Sequence, residues 1–169
     1  MTTTTHTELI NRARQVNDTI ITPAMKYLPP KMDSKKARAM MIAIALQESR
    51  MIHTRQIRGP ARGYWQFESG GGLRGIMNHR ASAPYLRGIV QSFNLPWERS
   101  ALFNAIEHMQ VFAAICARLL LWTDPRPLPA SDAEQAWQYY MRVWRPGKPH
   151  RHTWDNFWKI ALEVTKDMA

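Results

Sequence analysis

Three side chains in the first half of the chain have the types and spacing for bond-breaking chemistry: Glu48, Gln66 and Glu68. Glu48 follows a run without a polar residue, Ala39 to Leu46, so it is the first acid after a segment bound for the protein interior. Burial and the negative end of a helix both push a carboxyl to keep its proton. An acid that is still protonated near neutral pH can hand its proton to the leaving oxygen of a glycosidic bond. The plain alternative for Glu48 is a helix-end glutamate paired with Arg50 or Arg55. Gln66, eighteen positions on, offers an uncharged amide that binds sugar hydroxyls or an N-acetyl group without competing for the proton. Glu68 is a second acid, either in the same cleft or a cap for the turn after it. Ser49, read by itself, is an ordinary serine at a helix C-terminus, and Trp65 and Phe67 are expected in the core.

Those residues need a scaffold, and the periodicity predicts a helical one. Glu8 to Met25 reads as an amphipathic helix with Leu9, Ala13, Val16 and Ile20 on one face. Asp33 is the expected N-cap of the next helix, Ser34 to about Ser49, which is apolar on every side in its second half and so belongs at the centre of the fold. The segment Gly59-Pro60-Ala61-Arg62-Gly63 predicts a tight turn, and a minor hairpin is allowed from Tyr64 to Phe67. Gly70 to Gly72 predicts a flexible or tightly turned rim. Short helices are expected over Leu73–His79 and from Ser82 to Phe93, and one long helix from Ser100 to Trp122. The prolines between Asp124 and Pro129 exclude a helix there. Ser131-Asp132-Ala133-Glu134 reads as a capping box for a helix to Val143, and Thr153 as the cap of a last helix that buries Trp154, Phe157, Trp158, Ala161 and Leu162. The expected class is all-α, with residues 1–7 disordered and residues 8–169 forming one domain.

Composition narrows the partners. With 169 residues the chain can bury a sizeable core, and a formal charge of +10 points to a polyanion or an anionic envelope surface. Part of that charge lies in a patch of Arg145, Lys148, His150, Arg151 and His152, either a solvated loop or a contact with cell wall or nucleic acid. The single cysteine, Cys116, excludes an internal disulfide and reads as an inert buried thiol. The start of the chain lacks the layout of a secretion signal, so synthesis in a cytoplasm is expected, with delivery to any wall substrate by other means.

Glu48-Ser49 followed by Gly63-Tyr64-Trp65-Gln66, within the run Gly-x-x-x-Gly-x-x-Gln, resembles the Glu-Ser and Gly-Leu-Met-Gln motifs of lytic transglycosylases with the goose-type lysozyme-like fold. The resemblance implies a lysozyme-like domain that cuts the MurNAc–GlcNAc link of peptidoglycan in the periplasm; the small size, high charge and missing signal suit a phage product, either an endolysin or a wall-opening part of the virion. It implies one acid, Glu48, no metal and no cofactor, and a 1,6-anhydromuramyl product. The implied substrate-binding residues are Ser49, Tyr64 and Gln66, and Glu68, two positions past the motif, is a further candidate. A third family motif, Tyr-Asn-Ala-Gly, corresponds to Trp144-Arg145-Pro146-Gly147, which keeps only the glycine. The tyrosine that the family places near the acid is thus replaced by Trp144 or supplied by Tyr139 or Tyr140. Tyr140 and Trp144 are the favoured cleft residues. The expected partners are peptidoglycan glycan strands and the anionic envelope, with no nucleic acid and a monomeric chain. Other functions in view are a hydrolytic muramidase using Glu48 and Glu68, a basic helical nucleic-acid binder, and an inactive wall-binding protein on the same fold.

Overall fold

The computed structural model describes residues 5–169 and is all-α, with no β-sheet among them. The central element is α3, Lys35–Ser49. It is buried along nearly its whole length from Ala37 to Gln47, as a helix without a polar face must be. Its cap is Ser34, not Asp33: the Ser34 hydroxyl accepts from the Ala37 amide, which frees Asp33 to form a two-pronged ion pair with buried Arg38. Around α3 lie α1 (His6–Val16), α2 (Thr22–Met25), α4 (Arg74–Asn78), α5 (Ala83–Ser92), α6 (Arg99–His108), α7 (Gln110–Trp122), α8 (Ala133–Trp144) and α9 (Arg151–Thr165). Helix α9 is its most extensive partner. Trp154 and Trp158 of α9 are fully buried and stack on one another, and Tyr140 of α8 stacks on Trp154.

Several expected boundaries move, each for a local reason. The first helix begins at His6 because Thr5 and Glu8 form a reciprocal capping box, so Thr5 to Thr7 are ordered; residues 1–4 of the expected disordered start lie outside the described residues. One wide π-type turn, Asn17–Ile21, joins α1 to α2. The long helix expected over 100–122 is two helices bent by 116° at Met109, whose backbone is extended. The apolar stripe runs through the break, which hides it from periodicity. What ends α6 is Gln110, whose side-chain amide donates to the carbonyl of Glu107. Asp132 alone caps α8, accepting from the Gln135 amide, while the Ser131 carbonyl accepts from Trp158 Nε1. Helix α9 starts at Arg151, and Thr153 Oγ1 donates to Gln47 Oε1 instead of capping. The glycine run folds into a π-type turn, Ser69–Leu73, leading into α4. No described helix is by itself long and apolar enough to cross a membrane.

Candidate active site

The chain between α3 and the glycine run forms one wall of the site, and it is held both by polar anchors and by the buried side chains of Met51, Ala61, Trp65 and Phe67. It leaves α3 through Arg50 and Met51, both left-handed, with the Arg50 guanidinium lying over the Phe157 ring. Two isolated bridges, Arg55 with Arg62 and Arg62 with Phe67, fold it back on itself; the hairpin expected over Tyr64–Phe67 is reduced to these. Glu107 of α6 grips the fold from behind, its carboxylate contacting Arg55, Arg62 and His108. The hydrogen bond from Arg55 is the main reason that this carboxyl sits below its ordinary range. Gly63 is held at φ +77°, and a Cβ there would stand 2.8 Å from the Ile106 carbonyl oxygen. That close approach is the physical reason for glycine at this place in the motif.

The connector and α3 enclose a cleft of about 1220 Å³, closed on its other side by α8 and the α8–α9 connector. Glu48, partly buried in the last turn of α3, opens into it. Loss of water around the carboxyl raises its pKa from 4.5 to about 7; the Tyr140 hydroxyl beside it works in the opposite direction, and the negative charge of Glu68 adds to the rise. Gln66 lines the cleft in a left-handed conformation, φ +52°. Its side-chain nitrogen donates to the Gly63 carbonyl at 2.8 Å, which aims the amide while leaving the amide oxygen without a protein partner among the described residues. Glu68 is exposed on the rim of the same cleft.

Three aromatic residues compete for the place next to the acid, and their hydrogen bonds separate them. Tyr139 points away, its hydroxyl donating to the Leu121 carbonyl. Trp144 lines the cleft, but its indole nitrogen donates to the Trp65 carbonyl at 2.9 Å, so its polar atom serves the connector. Tyr140 faces Glu48, and burial followed by that acid's charge drives its own pKa well up. Tyr140 remains a neutral donor at any working pH.

Two expected sugar-binding residues do not reach the cleft. Ser49 is buried; its hydroxyl donates to the Tyr64 carbonyl at 2.7 Å and accepts from the Met51 amide, pinning the end of α3 to the connector. Tyr64 lies behind the cleft, its amide donating to Gln110 Oε1. Both act on the position of Glu48 and Gln66. Trp65 and Phe67 are core residues, as expected, and burial pushes the Cys116 thiol far up.

Sequence reasoning missed Gln47, which faces the cleft beside the acid and ties α3 to the α8–α9 connector by donating to the His150 carbonyl at 3.0 Å. It also missed the Asp124–Arg142 ion pair on the cleft wall, at 2.7 Å. No motif marks either; their partners lie 103 and 18 positions away. The assembled site holds a carboxyl with a pKa near neutrality, a neutral phenol, a neutral amide and a second carboxylate in one large cleft, groups that can give and accept a proton. Comparison of this chain with protein-family models, with curated proteins and with solved structures returns no match.

Proposed function

We propose that this chain is a peptidoglycan-cleaving lytic transglycosylase on a lysozyme-like helical fold, with Glu48 as its one acid and base. The observation that carries the proposal is the Glu48 carboxyl, brought to a pKa of about 7 inside a cleft of about 1220 Å³ that it shares with Gln66 and Tyr140. A group that must give a proton and take one back in each turnover works best when its pKa lies near the working pH. The cleft exceeds the roughly 300–1000 Å³ of small-molecule pockets, which suits an oligomer. In the reaction, protonated Glu48 gives its proton to the glycosidic oxygen as the bond from the muramyl C1 breaks. The carboxylate then accepts the proton of the muramyl C6 hydroxyl, whose oxygen bonds to C1 and closes the 1,6-anhydro ring. The acid ends as it began, and no water is consumed.

The wild-type chain should lyse Gram-negative cells stripped of their outer membrane, and Glu48→Gln should abolish lysis while keeping a cooperative melt. Lysis by a folded Glu48→Gln variant would remove the assignment. A second reading, hydrolysis, has one observation in its favour: Glu68 lies near enough to Glu48 for its charge to raise that pKa. An inverting hydrolase needs a second carboxylate at about 6.5–9.5 Å to activate water. Mass spectrometry of the products separates the two, because hydrolysis leaves reducing ends heavier by one water.

A further inference from the structure

Three cations reach the cleft without an ion-pair partner among the described residues. Arg58 belongs to the connector between α3 and the glycine run, and Arg145 and Lys148 to the one between α8 and α9; all three are exposed and line the cleft. Among the described residues none of their side chains makes an ion pair or a hydrogen bond, although Arg55, Arg62, Arg142 and Arg151 nearby are all paired. Nor do the cleft acids neutralise them: Asp124 is taken by Arg142, and Glu48 keeps its proton up to about pH 7. Of the described acids that line the cleft, Glu68 alone is left to face these three unpaired positive charges.

The backbone singles out two of them. Arg58 sits at φ +57° and Arg145 at φ +50°, the latter just past the end of α8, a position where glycine or asparagine fits with less strain. Arg50 is in the same situation at the end of α3 but has the Phe157 ring beneath its guanidinium. Arg58 and Arg145 have no such internal use for the side chain.

We propose that Arg58, Arg145 and Lys148 bind the carboxylates of the stem peptides attached to the glycan, so that the cleft selects peptide-bearing strands over strands stripped of peptide. The inference rests on the glycan-cleaving function proposed above. A tetrapeptide stem built on diaminopimelate, as in Gram-negative wall, carries three carboxylates and one amine, a net negative charge about twice that of the single lactyl carboxylate left when the peptide is removed. Nucleic acid is the other polyanion to weigh, and the cleft is poorly made for it. Binding of single strands relies on exposed aromatic faces for base stacking. Here Phe67 and Tyr140 are buried, and the Trp144 ring packs edge-on against Phe67.

The test uses the full chain carrying Glu48→Gln, to prevent turnover, and measures binding of three labelled probes at low salt. These are uncrosslinked glycan strands with tetrapeptides, the same strands after amidase treatment, and a single-stranded oligonucleotide. Peptide-bearing strands should bind on the order of tenfold more tightly than stripped ones, within the range that two additional exposed charge pairs give together. Adding Arg58→Asn, Arg145→Asn and Lys148→Gln should bring that ratio close to one; asparagine keeps the left-handed backbone, and an unchanged melting curve checks the fold. Equal binding of the two glycan probes, a ratio that survives the triple substitution, or tightest binding of the oligonucleotide overturns the proposal. Loss of binding to both glycan probes by the Glu48→Gln chain instead brings down the glycan-cleaving function itself, and the peptide selectivity with it.

Discussion

The raised pKa of Glu48 is also a statement about stability, and it gives a test that needs no substrate. In the unfolded chain this carboxyl titrates near 4.5, and in the folded chain near 7. Between those values the folded state holds a proton that the unfolded state has released, so stability falls as pH rises from about 4.5 to 7 and then levels off. At about 1.4 kcal/mol for each pH unit of that gap, ionised Glu48 costs the folded chain roughly 3 kcal/mol above pH 7. Glutamine keeps the shape and cannot ionise. Glu48→Gln should therefore melt higher than wild type at pH 8, by about 6–12 °C for a domain of this size, and by much less at pH 4.5. Thermal melts followed by circular dichroism, wild type and variant at both pH values, measure the difference of differences, in which other titrating groups cancel. The same advantage at both pH values, or none at pH 8, would refute a buried proton-holding acid and remove the physical basis for catalysis by this residue.

Other perturbations probe the neighbours. Tyr140→Phe removes the hydroxyl that holds the Glu48 pKa down, so the titration of Glu48, followed by carboxyl carbon resonances, should move above pH 7, while the ring stack on Trp154 persists. Glu68→Gln should move the same titration down and, in a transglycosylase, leave part of the activity and the anhydro product in place. Gln66→Ala should lower kcat/KM on soluble glycan by about fivefold, the loss of one hydrogen bond of about 1 kcal/mol. Gly63→Ala combines φ +77° with a clash against the Ile106 carbonyl; urea unfolding should report a loss of at least about 2 kcal/mol.

What could be read from the sequence depended on how local its physical cause was. An eight-residue run without a polar side chain, Ala39 to Leu46, has its stable place at the centre of a helical domain, so the central helix and the acid at its end were legible at once. The same holds for the inward aromatics of α9 and for Gln66, whose spacing from Glu48 is preserved in a cleft that both residues line. The sequence did not contain the answer wherever a residue's role depends on a distant partner. Ser49 and Tyr64 stand inside the motifs, yet one hydroxyl-to-carbonyl bond between them, 15 positions apart, turns both from substrate toward scaffold. The break at Met109 is invisible to periodicity because Gln110, a residue that fits any helix, becomes a cap only when Tyr64 reaches its side chain. The choice among Tyr139, Tyr140 and Trp144 is likewise tertiary. Adjacent positions on α8 point about 100° apart, and only packing against α3, α7 and the connector decides which phenol meets the acid and which polar atoms go to the carbonyls of Leu121 and Trp65.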